Sequence, residues 1–97
     1  MSPSSPFQVA VWLKKTEGFA ALRDELIGLA ALEPDESTEY EGMVNFHWGF
    51  DKLKDAESVA EAMTVLLTRP ELVLLRLSNF DDLEASITYK DERHVKQ

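Results

Sequence analysis

From Phe7 to Lys14 apolar and polar side chains alternate, with Phe7, Val9, Val11 and Leu13 on one side and Gln8, Ala10, Trp12 and Lys14 on the other. Period two with β-branched and aromatic residues predicts a strand over 7–15. The period then changes. Phe19, Leu22, Leu26 and Leu29 recur at three- and four-residue steps, which predicts a helix over 17–32, with Thr16 as N-cap, Glu17 in the first turn and Pro34 as its stop. Gly28 weakens that helix modestly.

Residues 33–41, EPDESTEYE, carry five acids and no base and read as a solvated loop. Alternation resumes at Tyr40. Tyr40, Gly42, Val44, Phe46, Trp48 and Phe50 share one face of a second strand; Glu41, Met43, Asn45, His47 and Gly49 take the other. A glycine inside such a pattern marks a bulge, a bend or a turn at Gly42.

A second helix follows, capped by Asp51 or Asp55 and running to about Thr68 on Ala56, Val59, Ala60, Met63, Leu66 and Leu67. Arg69-Pro70 stops it, because the residue before proline avoids the helical region. Residues 72–78 are apolar on both sides, Val73, Leu75 and Leu77 against Leu72, Leu74 and Arg76, as in an interior strand or one beneath an interface. SNFDD predicts a turn. The last strand is expected over 83–90, with Leu83, Ala85, Ile87 and Tyr89 inward.

The predicted order is β-α-β-α-β-β in a single α+β domain over 7–90, between a flexible lead at 1–6 and a polar tail at 91–97 that holds His94. Two βα units predict parallel neighbours joined by right-handed crossovers, and the final pair an antiparallel hairpin. Both helices have one apolar stripe, so the expected fold is a two-layer sandwich: a four-stranded mixed sheet with both helices on one face. A hairpin at Gly42 would convert it to a ferredoxin-like arrangement.

Composition narrows the function classes. Net charge is −8 and there is no cysteine. Such a chain repels phosphate backbones and anionic lipid, and its bases are scattered, so neither nucleic acid nor membrane is an expected partner. Disulfides, thiolate catalysis and cysteine-ligated metals are excluded, and a reducing, cytoplasmic setting is expected. The start lacks the pattern of a secretion signal, and no apolar run is of membrane-spanning length.

The face expected to point away from the helices collects Gln8, Ala10, Trp12, Met43, Asn45, His47, Leu72, Leu74, Arg76, Ser86 and Thr88. It is too apolar for bare solvent and too polar for a core, which marks a partner surface or a groove. Trp12, Met43, Asn45, His47, Leu72, Leu74 and Arg76 are therefore the candidate binding residues. His47 is the one weak catalytic candidate, a general base if a carboxylate orients its ring. It has no His-x-His companion, so no metal site is expected, and no phosphate loop, dinucleotide fingerprint or nucleophile elbow occurs, so no cofactor is either. Asp35, Glu36, Glu39 and Glu41 are a candidate docking surface for a basic protein.

The expected function is that of a small acidic interaction domain, non-catalytic, associating through the open sheet face with a second copy or with a basic partner, in the manner of an inhibitor or immunity protein. The alternative is a small-molecule-binding protein or small enzyme in which Trp12 stacks on a ligand while His47, Asn45 and Arg76 supply polar contacts and proton transfer.

Overall fold

The alternating segment Phe7–Lys14 forms β1, and it lies at the centre of the sheet. The computed structural model describes residues 5–93. After β1 come α1 (Phe19–Ala30), β2 (Glu36–Tyr40), β3 (Met43–Phe50), α2 (Leu53–Met63), β4 (Leu72–Asn79) and β5 (Ile87–Asp91), with short 3-10 turns at Thr64–Leu66 and Leu83–Ala85. The class is α+β as expected, but the sheet has five strands rather than four, in the order β2-β3-β1-β4-β5.

The additional strand is β2, cut from the acidic segment expected to be a loop. All five of its residues are exposed, since an edge strand with little beneath it needs no apolar alternation. A two-residue turn joins it to β3. Glu41 and Gly42 both have positive φ, 50° and 80°, as the turn that matches strand twist in a tight hairpin requires. Among the described residues nothing beyond its chain neighbours lies within 4 Å of a Cβ built on Gly42, so Gly42→Ala should cost only the backbone term, about 1 kcal/mol. That corresponds to a melting temperature lower by roughly 4–8 °C; an unchanged melting curve would mean that the turn relaxes without cost.

Every pairing is antiparallel, so the expected parallel neighbours do not occur. Each helix does connect two parallel strands, β1 to β2 and β3 to β4, but each crossover skips one position. β3 fills the first gap and β1 the second.

Both helices cover the face expected for them. Val9, Val11, Leu13, Val44, Phe46, Trp48, Leu75 and Leu77 meet Leu22 and Leu26 of α1 and Ala56, Ala60 and Met63 of α2. Alanines at positions 56 and 60, one turn apart, let α2 approach the sheet closely. The helices are shorter than expected: Gly18, not Thr16, is the N-cap of α1, and Lys52 that of α2, neither with a side-chain hydrogen bond.

Two bulges reset the strand faces. On β1 and β4 the register steps from Trp12↔Leu74 to Leu13↔Leu72, leaving Val73 as the extra residue. The slip turns Leu72 into the helix-covered core, where it is fully buried, so its expected place on the open face is overturned. Val73 is buried but outside that core. On β4 and β5 the register steps from Leu75↔Lys90 to Arg76↔Thr88, with Tyr89 the extra residue. The expected strand over 83–90 is thus a 3-10 turn followed by β5. Leu83 and Ile87 are 66% and 39% exposed instead of inward.

Among the described residues no helix is long and apolar enough to cross a membrane. The start and end of the expected lead and tail, residues 1–4 and 94–97 with His94, lie outside the described residues.

Candidate functional site

The sheet face opposite the helices can be laid out as rows of cross-strand partners. The central row runs Thr38, Asn45, Trp12, Leu74 and Asp91 from β2 to β5. The row beside it runs Glu36, His47, Ala10, Arg76 and Thr88. At one end, Tyr40 pairs with Met43 and Met43 with Lys14. Of the seven candidate binding residues, six therefore share this face, and Leu72 does not.

His47 and Arg76 flank Ala10 on opposite sides. Two strand spacings separate their backbones, about 10 Å. His47 finds its carboxylate on β2 instead, with Nδ1 3.7 Å from Glu36 Oε1. That separation is longer than a hydrogen bond, so Glu36, on the segment expected to be a loop, lies beside the ring without fixing its orientation. Arg76 approaches the Thr88 hydroxyl at 3.4 Å.

Trp12 is half-buried and is stacked by a residue from beyond β5. The Arg93 guanidinium lies 5.0 Å from the Trp12 ring centroid, a cation–π distance. Asp91 holds Arg93 in place through two hydrogen bonds, Nε to Oδ1 at 2.9 Å and Nη2 to Oδ2 at 2.8 Å. The bond to Asp91 also raises the guanidinium pKa further. Leu74 is only 2% exposed beside Trp12. Asn45, its neighbour on the other side, has a buried Oδ1 that accepts no hydrogen bond among the described residues, an uncompensated cost for a polar atom.

The acidic residues have structural duties. Asp35 Oδ2 accepts a 2.6 Å hydrogen bond from the Gly49 N–H, and the Asp35 N–H donates to the His47 carbonyl at 2.8 Å. A Cβ at Gly49 would lie 2.7 Å from Ser5 Oγ and 3.2 Å from Asp35 Oδ2, so glycine is what admits this latch. Glu39 pairs with Lys15 at 3.0 Å, and Glu41 sits in the positive-φ turn. The four lie on an edge strand and its flanks rather than on a loop, with Glu36, Glu39 and Glu41 exposed.

A wide-open depression of about 440 Å³ at the start of α1 is lined by Lys14, Thr16, Glu17, Gly18, Pro70 and Glu71 and takes in none of Trp12, His47 or Arg76. Among the described residues no group of three or more His, Asp or Glu could hold a metal ion. The connection between β4 and β5, which sequence periodicity presented as a turn and a strand start, exposes Phe80, Leu83 and Ile87 together. The signal for it was present: large apolar residues interleaved with acids and no base from Leu77 to Tyr89.

No protein-family model, curated protein or solved structure matches the chain.

Proposed function

We propose that this chain is a ferredoxin-like domain with a fifth edge strand, and that it is a non-catalytic interaction protein pairing with a second copy of itself through the open face of its sheet. The order β2-β3-β1-β4 with two strand-skipping helices supports the first part. One observation carries the second: a half-buried tryptophan on the central strand of a face that neither helix covers, beside a buried Asn45 acceptor that meets no donor among the described residues.

Charge favours a second copy as the partner. A two-fold axis running along β1 in the plane between two facing sheets lays the β2 side of one protomer over the β4–β5 side of the other, row on row. Glu36 and Arg76 share a row on opposite sides of β1, Glu36 two strands from it and Arg76 one. The axis therefore sets Glu36 over the partner's β5 and leaves it one strand spacing, about 5 Å, from the partner's arginine on β4, within reach of a long side chain, twice. Isologous contacts of this kind are self-complementary by symmetry, and aligned sheets pack about 10 Å apart.

Sedimentation velocity tests it. The chain should be a dimer, and Trp12→Glu a folded monomer. Glu36→Arg and Arg76→Glu should each weaken the dimer, and the double variant should recover it. A monomer at high concentration sinks the proposal; failed recovery sinks the two-fold arrangement.

The His47–Glu36 contact favours a second reading, a small-molecule site on the same face, with Trp12 stacking and Arg76 taking an anionic group. It requires Arg93 to leave the Trp12 ring. In that case His47→Ala would abolish a ligand-induced thermal shift while leaving the oligomeric state unchanged.

A further inference from the structure

The connection from Asn79 to Ile87 is held by several hydrogen bonds although it leaves its apolar side chains in water. Asn79 is buried, and its Oδ1 accepts from the N–H groups of Asp81 and Asp82, both at 3.0 Å. Its own N–H donates to Ser86 Oγ at 2.9 Å, closing the base of the loop. Asp82 Oδ1 caps the 3-10 turn by accepting from Glu84 N–H, and Phe80 N–H donates to the Pro6 carbonyl at 2.8 Å. The backbone is fixed from both ends.

On this frame Phe80 is 56% exposed, Leu83 66% and Ile87 39%. Three large apolar side chains within eight residues on a rigid loop make a preorganised anchor, since little ordering entropy remains to be lost on binding. A connection that only reversed the chain would gain nothing from them.

Charge selects the partner. The carboxylates of Asp81 and Glu84 meet no donor among the described residues, unlike Asp35 and Glu39, which are engaged on Gly49 and Lys15. There is no lysine or arginine between Leu77 and Tyr89 to neutralise them. We propose that the β4–β5 connection is a docking surface for a basic, amphipathic protein segment, its apolar side chains seated on Phe80, Leu83 and Ile87 and its lysines or arginines facing Asp81 and Glu84. The surface belongs to the end of the sheet and is independent of the open-face dimer.

A fluorescein-labelled amphipathic peptide of leucine and lysine serves as probe, with binding read by anisotropy at low and moderate salt. The parent chain should bind it, more weakly as salt rises. Phe80→Ser combined with Leu83→Ser should weaken binding tenfold or more with an unchanged melting curve. Asp81→Asn with Glu84→Gln should lower the affinity and flatten its salt dependence. Glu33→Gln with Asp51→Asn removes the same charge elsewhere and should leave the affinity within twofold. If the loop and control pairs behave alike, attraction follows net charge alone and the proposal fails. It fails equally if the parent does not bind, or if Trp12→Glu produces the tenfold loss, which would put the peptide on the open face.

Discussion

Trp48→Ala is expected to cost about 3–5 kcal/mol of folding stability, the range for emptying a large aromatic from a core. Trp48 is fully buried, and its ring packs at 6.2 Å against Phe46, which in turn stacks on Phe19 of α1 at 6.1 Å. Its indole N–H donates to the Leu32 carbonyl at 2.8 Å, pinning the chain just after α1. The substitution therefore opens a cavity between sheet and helix and also frees the segment that leads into β2. A domain of this size has roughly 5–15 kcal/mol in total, so the midpoint of urea unfolding should fall by about a fifth or more. Trp48→Phe separates the two contributions, since it keeps most of the ring contacts and forfeits the hydrogen bond, at about 1 kcal/mol. A Trp48→Ala loss under 1 kcal/mol would mean that Trp48 does not organise the core.

That role for Trp48 was legible from alternation alone, as were the faces of β1 and β3, because each strand is uniformly apolar on one side and mixed on the other. Where a strand is apolar on both sides the pattern carries no register. Leu72, Val73, Leu74 and Leu75 fit either face, and the bulge that chooses between them depends on pairing with β1. β2 was missed for the opposite reason: it is exposed throughout, so no alternation distinguishes it from loop. Antiparallel neighbours could not be read from two βα units, because nothing local states whether a crossover lands on the next position or the one beyond. Most of the site was visible as residue types on one face, but its pairings were not. The His47 carboxylate comes from the missed strand, and the residue stacked on Trp12 comes from beyond β5.

Leu72→Asp places the register of β4 under direct test. Simple alternation puts Leu72 next to Leu74 on the open face, where an acidic substitution would leave a folded chain and at most disturb association. The bulge instead sets it opposite Leu13, among Leu75 and Leu77 in the helix-covered core, with no exposed surface. There the substitution removes leucine contacts, about 2–5 kcal/mol, and buries a carboxyl group in an apolar core, a further cost of several kcal/mol. The total reaches the whole stability of the domain. Leu72→Asp should therefore be unfolded by far-UV circular dichroism at 25 °C, whereas Trp12→Asp, on the next register step of the same pairing, should keep its secondary structure because its ring is only half-buried. A cooperatively melting Leu72→Asp chain would return Leu72 to the open face, remove the bulge, and with it shift Leu74 out of the row that seats Trp12.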